Sequence, residues 1–556
     1  MDRALALDGD RVRAVAWHPE HGRSGQVEEF SIAALPARLA EEPADTRWVW
    51  ADAAELYPRL LRAGTRVSQA VDLRLTHQIL RRARAASRSP MATAADSAWD
   101  APPLPLDDPG AGETLFETAP AGSLDLAEII AEHERQQHTL ATLPDPHRGK
   151  LRLLCHAESI GGLIAQELNH AGVPFSAAHH DRQLRELLGD PGPWGGRPSR
   201  MEALCQQVRA ALNSPQLNPD SPVELIRALR RAGLQVTSTR QWELEQLDHP
   251  AIAPLLEYKK LARLHSANGW TWLDTWVRDG RFRSDWVAGG VVTGRWASRG
   301  GGALQLPRQI RSAVRAEPGW SLVVADAAQL EPRVLAAMAA DEAMAQACRG
   351  ADLYQGLVDA GVIETRQQAK IAVLAAMYGS TSGEAGALLP RLARAYPRAM
   401  GVVESAARAG ERGEQVTTWL GRTSPVPGQW WQDAQAGAQQ PDSGREEERR
   451  ARQAGRDWGR FTRNFVVQGT AAEWALCWLG DLRRRLSTIR DDEGAAPELV
   501  YFLHDEVMVH SPAGCADEVA EAVRAAARRA GELLFGRFPI EFALGVAVVD
   551  SYEKAK

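Results

Sequence analysis

Two apolar runs separated by a short polar group constrain the C-terminal part of the chain more than any other feature. The runs are residues 499–503 and 507–509, and His504-Asp505-Glu506 lies between them. Short apolar runs around a polar group predict a tight β-hairpin with the acids at its tip. An acidic turn is usually only solvated, so the hairpin alone does not indicate a functional site.

A second acid, Asp326, lies at the end of another predicted strand. Residues 321–325 form an apolar run, Asp326 follows it, and a helical pattern continues to residue 340. A lone aspartate before a helix is usually an N-cap. Asp326 and Asp505 together could instead bind two divalent ions, because Mg²⁺ prefers oxygen ligands. Two such ions stabilise the attacking and leaving oxygens of a phosphoryl displacement.

Residues 365–379 predict a helix with one cationic face. Arg366, Lys370, Leu374 and Tyr378 are four residues apart and therefore share that face. Two cations near a helix N-terminus attract an anion. A nucleoside triphosphate fits this face, with its phosphates at the cations, its sugar near Leu374 and its base near Tyr378. The alternative is an amphipathic helix whose cations extend into water, and the helix alone does not decide between the two.

These motifs, taken in order, resemble those of the family A (DNA polymerase I-like) DNA polymerases. The resemblance covers roughly residues 200–556. Asp326 with Gln329, Glu331 and Arg333 resembles the first palm motif, the helix at 365–379 resembles the fingers motif, and His504-Asp505-Glu506 resembles the second palm motif. The other matching segments are Thr293-Gly294-Arg295, Leu304-Gln305, the thumb-like residues 213–268, and a template-side helix containing Arg460, Asn464 and Gln468.

The resemblance implies a role for each matching residue in template-directed DNA synthesis from dNTPs on a primer–template. Asp326, Asp505 and the backbone carbonyl of Ala327 would hold two Mg²⁺ ions, for which Mn²⁺ would substitute, and Glu506 would belong to the catalytic group. Lys370 and Arg366 would bind the triphosphate, and Glu331 would disfavour a ribonucleotide by crowding the sugar. Gln329, Tyr354, Leu374 and Tyr378 would complete the nucleotide site. The expected DNA contacts are Arg295, Gln305, Arg460, Asn464, Gln468 and His504.

The sequence departs from the family pattern at several nucleotide contacts. Ala327-Ala328 replaces the usual Tyr-Ser pair, Leu374 replaces an aromatic residue, and Tyr354 takes the place of a histidine. The metal and phosphate ligands are kept, so catalysis is expected, with altered nucleotide affinity and sugar discrimination. Two alternatives remain: a non-catalytic DNA-end-binding protein with the same fold, and a single-subunit RNA polymerase, against which Glu331, Gln468 and the His504-Asp505-Glu506 tip argue.

The resemblance also implies a multidomain architecture of α/β and α+β type. An RNase H-like, 3′–5′ exonuclease-type domain would precede a right-hand polymerase with a thumb, a palm containing an antiparallel sheet, and helical fingers. The expected boundaries are 1–190 for the exonuclease-like domain, 191–284 for the thumb, 285–345 for the first palm segment, 346–455 for the fingers and 456–556 for the second palm segment.

The N-terminal domain is expected to lack proofreading activity. Asp52 and Asp72 fit an exonuclease fold loosely, but the first strand carries no Asp-x-Glu pair, and Asp8-Gly9-Asp10 predicts a hairpin turn. Residues 89–122 and 423–445, which are rich in polar residues, Pro and Gly, predict loops. The domain is therefore expected to be exonuclease-like in fold and inactive, and the enzyme is expected to act in repair or gap filling without proofreading.

Composition adds little to the functional argument. The net charge of -6 neither favours nor excludes DNA binding, because affinity depends on the phosphates that local cations neutralise. Five scattered cysteines without a C-x-x-C pair predict reduced core thiols. The sequence has no apolar run of about 20 residues and no secretory signal, so a cytoplasmic protein that does not enter membranes is expected. A monomer is also expected.

Overall fold

The N-terminal part of this computed structural model is built on a five-stranded mixed sheet. The structure describes residues 2–18, 22–43, 45–100, 124–302, 306–350, 352–379, 383–440 and 443–555. The first elements are β1 (Asp2–Asp8), β2 (Arg11–His18), β3 (Gly22–Ser31), α1 (Leu35–Glu41), β4 (Arg47–Trp50), α2 (Ala53–Arg62), β5 (Ala70–Asp72), α3 (Leu73–Arg82), α4 (Pro90–Thr93), α5 (Leu126–Thr142) and α6 (His147–Ala171).

The order of this sheet is β3-β2-β1-β4-β5. β1, β2 and β3 form an antiparallel meander, and β4 and β5 continue the sheet in parallel with β1. The predicted turn after Asp8 is confirmed, and Gly9 adopts the positive φ of 58° that such a turn needs. The long helix α6 is buried on several sides, because Leu163 packs on this sheet and Ile164 packs in the large C-terminal core.

A mostly helical middle section follows. Its elements are β6 (Val173–Pro174), α7 (Ala177–Leu188), α8 (Ser199–Ala211), α9 (Pro222–Arg231), α10 (Gln241–Leu244), α11 (Ile252–Asn268), α12 (Trp270–Trp276), β7 (Val277–Arg278), β8 (Arg281–Phe282), β9 (Asp285–Val287) and β10 (Ala297–Arg299). α8, α9 and the start of α11 enclose a small separate core that contains Val208, Leu225 and Leu255.

The C-terminal half contains one sheet and a group of helices between its strands. Its elements are β11 (Trp320–Ala327), α13 (Leu330–Met338), α14 (Glu342–Ala347), α15 (Leu353–Asp359), α16 (Arg366–Tyr378), α17 (Gly383–Ala395), α18 (Pro397–Glu411), α19 (Gln429–Ala438), α20 (Arg445–Leu486), β12 (Glu498–Leu503), β13 (Glu506–Pro512), α21 (Ala516–Phe535) and β14 (Leu544–Val549). The sheet, called the C-terminal sheet below, is antiparallel with the order β12-β13-β11-β14.

Two predicted loops are partly helical, which corrects the sequence analysis. α19 lies inside residues 423–445, and α4 lies inside residues 89–122; residues 101–123 are outside the described part of the chain. α19 forms because Ala434 is buried and the Gln435 amide donates to the Ala451 carbonyl of α20. This packing partner is 16 residues away, so the local Gly- and Pro-rich sequence did not reveal the helix.

Candidate active site

The two aspartates that are far apart in sequence meet at one end of the C-terminal sheet. β11 and β13 are neighbouring antiparallel strands, and Asp326 is paired directly with Glu506. The Ala327 amide donates to the Asp505 carbonyl across a distance of 2.8 Å. Asp505 lies in the two-residue turn between β12 and β13, as predicted. The sheet therefore fixes Asp326, near the end of β11, beside the turn that carries Asp505.

The electrostatic environment of Asp505 favours a bound cation. Burial, followed by the charges of Asp326 and Glu331, raises the pKa of the Asp505 carboxyl to about 7. Nearby carboxylates that repel each other are a suitable donor set for a hard divalent ion. No group of three or more His, Cys, Asp or Glu side chains in the described ranges could enclose a metal ion. Ions held here would need ligands from a substrate, which is usual for Mg²⁺ with phosphates.

Strained backbone conformations surround the acids. His504, immediately before Asp505, has a φ of 55°, and Gln329, three residues after Asp326, has a φ of 51°. Left-handed conformations at residues other than glycine cost on the order of 1–3 kcal/mol and concentrate at functional sites. The strain at both turns is therefore consistent with a site that requires these side chains in fixed positions.

A narrow cleft joins Asp505 to residues that were predicted to contact DNA. Arg295, Glu331, His504 and Asp505 line this cleft together with the start of α13 and with Ala471 of α20. Arg295 forms an ion pair with Glu331. Burial, followed by the charge of Arg295, lowers the pKa of His504, so its imidazole is neutral near pH 7. This ion pair places the positive charge of Arg295 in the cleft, and its acidic partner is Glu331 rather than Asp326 or Asp505.

Glu506, predicted to be catalytic, has a different environment from Asp505. Its side chain is buried, with 3% exposed, and it forms a hydrogen bond with the Tyr552 side chain. β13 lies between β12 and β11 in the sheet, and all seven of its residues are buried. Glu506 thus follows Asp505 in the sequence and is paired with Asp326 across the sheet, but its side chain is enclosed by the core around Tyr552.

The predicted cationic helix is α16, and its boundaries match the prediction closely. The Thr365 hydroxyl caps its N-terminus by accepting from the Gln368 amide at 3.2 Å, and Gly379 ends it with a φ of 74°. The shared face is solvent-accessible: Arg366, Lys370 and Tyr378 are exposed, and Leu374 is half-buried. Within the described residues Lys370 forms no ion pair, so its charge is available to an anion.

A chain of polar contacts connects Arg366 to the turn that follows Asp326. The Arg366 guanidinium donates to the Asp352 carboxylate at 2.5 Å. The side-chain amide nitrogen of Gln329 donates a further hydrogen bond to the Asp352 carboxylate at 3.3 Å. The side-chain oxygen of Gln329 accepts from the backbone amide of Leu353 at 2.9 Å. Sequence reasoning missed Asp352; its position just before a helical run predicts only an N-cap, a role that it also has.

Tyr354 is a buried residue close to Arg366 of the cationic helix and to Glu331. Its ring is 5.7 Å from the Arg366 guanidinium carbon. Burial, followed by the charges of Glu331 and Asp352, raises the pKa of its hydroxyl. Tyr354 therefore lies near Glu331 at the start of α13 as well as near Arg366 at the start of α16.

The helix α20 presents a polar stripe to solvent on an otherwise buried surface. Arg460 is exposed, Asn464 and Gln468 are half-buried, and their spacing of four residues places them on one face. A Cβ atom at Gly469 would lie 2.4 Å from the Thr418 side chain, so only glycine allows this close approach. Arg460 lies beside Gly379 at the end of α16. Gln305, also predicted to contact DNA, lies outside the described residues.

The acids of the N-terminal sheet have structural partners. Asp52 accepts from the Ala54 amide at 2.8 Å and caps α2. Asp72 accepts from the Ala53 and Leu75 amides at 2.8 and 3.0 Å. Burial, followed by the charge of Asp52, raises the pKa of Asp72 to about 8. Asp8 is exposed at the hairpin turn.

Two other predictions concern the chain as a whole. All five cysteines are buried and form no disulfide, as expected for core thiols. Among the helices in the described residues, none combines the length and the hydropathy that crossing a bilayer requires.

Comparison with known proteins identifies sequence relatives over most of the chain. A family model with the description DNA polymerase family A matches residues 198–550. Thermostable DNA polymerase I of Thermus filiformis is 26% identical over 430 residues, covering 71% of this chain and 46% of that protein. DNA polymerase I of Chloroflexus aurantiacus is 28% identical over 447 residues, covering 73% and 43%, respectively. The chain thus spans less than half the length of these curated relatives.

A solved structure shares the fold across the whole chain. It is the POL domain of Pol1 from M. smegmatis in complex with DNA primer-template and dNTP, with a TM-score of 0.70. The two sequences are 18% identical, and the match covers 100% of this chain and 95% of that one. At this identity the likeness concerns the fold.

Proposed function

The chain belongs to DNA polymerase family A, and we propose that it extends the 3′ end of a DNA primer with dNTPs as a template directs. The observation that supports this proposal is the chain of hydrogen bonds from Arg366 on α16 through Asp352 to Gln329, in the turn that follows Asp326. The Tyr354 ring, which lies 5.7 Å from the Arg366 guanidinium carbon, belongs to the same group of contacts. In this assignment the C-terminal sheet belongs to the palm and α16 to the fingers.

The palm acids would bind the cofactor. Asp326, Asp505 and the Ala327 carbonyl are the oxygen donors we assign to two Mg²⁺ ions, and Mn²⁺ would satisfy the same donors. When bound, the ions would supply charge stabilisation for the attacking primer oxygen and the leaving pyrophosphate. Glu506 would act as a positioning residue, because its contact with Tyr552 fixes the strand that follows Asp505.

The side chains on α16 would hold the nucleotide. Arg366 would bind the outer phosphates, and Lys370 would neutralise the triphosphate and donate a proton to pyrophosphate as it leaves. Glu331, held by Arg295, would restrict the space at the sugar 2′ position. Leu374 would contact the sugar, and Tyr378 would lie beside the template base stack.

The primer–template would lie across the cleft and the polar stripe of α20. Arg295 and His504 line the cleft, and Gln468 would extend this surface towards the minor groove. Arg460 and Asn464 would contact the template strand, and Gln305 would contribute from the neighbouring segment. Contacts of this kind fix the position of the duplex, while base pairing selects the nucleotide.

We assign the N-terminal domain an exonuclease-like fold without proofreading activity, and the whole chain a role in repair or gap filling. The use of Asp52 and Asp72 as helix caps supports the loss of activity. The test is extension of a 5′-labelled primer on gapped DNA with Mg²⁺, with matched and mismatched primer ends. Matched ends should be extended until the gap is filled, and mismatched ends should remain uncut. Metal-dependent removal of the mismatch, abolished by Asp8→Asn with Asp72→Asn but not by Asp326→Asn, would overturn the assignment.

Leu374→Phe is expected to tighten the binding of nucleotides or to change the selection between deoxy and dideoxy nucleotides. Phenylalanine presents more apolar surface to the sugar than leucine does, and at about 25 cal/mol per Å² an additional buried area of about 20–50 Å² corresponds to roughly a 2- to 10-fold change. Steady-state KM values for dNTPs and ddNTPs measure the effect. The control is Leu533→Phe, on an exposed part of α21. Unchanged KM values and unchanged dideoxy selectivity would show that Leu374 does not contact the sugar.

A further inference from the structure

The ion pair between Asp352 and Arg366 raises a question that the proposed catalytic roles leave open. Arg366 is the residue assigned to the outer phosphates, yet its guanidinium is held by a carboxylate in the absence of nucleotide. Lys370, one turn further along the same face, forms no such pair within the described part of the chain. The two cations of the face therefore differ in their availability to a triphosphate.

Asp352 is well placed to keep Arg366 in this position. Its carboxylate accepts from the Tyr354 and Gln355 amides at the start of α15 and from the Gln329 side chain, so its orientation is fixed independently of Arg366. The Arg366 side chain remains 54% exposed, so it can leave the pair at the cost of this hydrogen bond and of its contact with the Tyr354 ring. The fixed partner is thus the acid, and the movable partner is the arginine.

We propose that Asp352 sets the affinity for the incoming nucleotide by competing with its phosphates for Arg366. This inference rests on the proposed function, because it assumes a triphosphate on the face of α16. A phosphate that binds Arg366 must displace it from a charged hydrogen bond, which weakens apparent binding. The displacement also frees Asp352 from α16 and leaves it bonded to Gln329, the residue three positions after Asp326. Asp352 is therefore a positioning residue that acts through Arg366.

The test uses Asp352→Asn, which removes the charge and retains a side chain that caps helices well. The apparent Kd of a dNTP is measured by equilibrium binding to enzyme with a dideoxy-terminated primer–template and Mg²⁺, so that no chemistry occurs. The Kd is expected to fall by about two- to fivefold, the range expected for an exposed ion pair. The control is Asp359→Asn at the other end of α15, an exposed acid that accepts from Gln355 and has no arginine partner among the described residues.

The same substitution in an Arg366→Ala background distinguishes competition from general repulsion. Competition predicts that Arg366→Ala weakens binding and that adding Asp352→Asn then changes nothing. An equal gain in both backgrounds would mean that Asp352 repels the phosphates directly, and weaker binding by the single Asp352→Asn variant would mean that it orients Arg366 towards them. Either result would overturn the proposal. Absence of primer extension by the wild type would refute the proposed function separately, since this binding measurement needs no product.

Discussion

Asp505→Asn is expected to reduce the rate of nucleotide addition by about a thousandfold or more. Asparagine keeps the shape of the side chain but loses the charge that would bind the metal ions. Metal stabilisation of a phosphoryl transition state is worth several kcal/mol, and each 1.36 kcal/mol corresponds to about a tenfold change in rate. Single-turnover primer extension with saturating dNTP and Mg²⁺ measures the loss.

The stability of this variant provides a second, independent readout. Burial and the charges of Asp326 and Glu331 oppose ionisation of Asp505, so removing its charge should leave the free energy of unfolding unchanged or slightly higher. Asp517→Asn, at an exposed position at the start of α21, is the matched control and should retain wild-type rates. A folded Asp505→Asn variant with nearly normal activity would remove Asp505 from the catalytic group.

Lys370→Ala is expected to have the next largest effect, a loss of about 100-fold or more in kcat/KM. A preorganised charge at a developing anion contributes on the order of 10²–10³ in rate, and a positioned proton donor contributes on the order of 10²–10⁴. Lys370 is exposed on α16 without an ion-pair partner in the described residues, so the substitution should not disturb the fold. Steady-state kinetics with a primer–template measures kcat and KM separately.

Lys370→Arg separates the two roles assigned to this residue. Arginine keeps the positive charge but does not release a proton at accessible pH, so KM should stay near the wild-type value while kcat falls. Lys554→Ala, at an exposed position near the C-terminus, controls for the loss of one lysine charge. If Lys370→Ala changed neither parameter, the triphosphate could not lie on this face of α16.

The elements that carry the candidate site were predictable because their signals are local. The hairpin around Asp505 follows from two apolar runs on either side of a short polar group, and α16 follows from the spacing of its residues, with Thr365 and Gly379 at its ends. The meeting of Asp326 and Asp505 could be inferred because each acid ends a predicted strand. Register between β11 and β13 is set by hydrogen bonds across the sheet, which the sequence does not encode locally.

Features that depend on distant packing were not predictable. α19 is stabilised by α20, and the pairs Arg295–Glu331 and Asp352–Arg366 join side chains from separate elements. Glu506 follows Asp505 directly, yet the central position of β13 encloses its side chain. Local patterns give the type of an element, whereas the partner of a charged side chain depends on the tertiary fold.

Template-directed DNA synthesis is tested by single-turnover addition of one nucleotide to a primer opposite each of the four template bases. With Mg²⁺, we expect rapid addition of the complementary dNTP only, poor addition of ribonucleotides because of Glu331, and addition by Asp505→Asn that is slower by about a thousandfold or more. Tight binding of primer–template without any extension would contradict the proposed polymerase activity and indicate a DNA-end-binding protein. Efficient use of ribonucleotides would indicate an RNA polymerase.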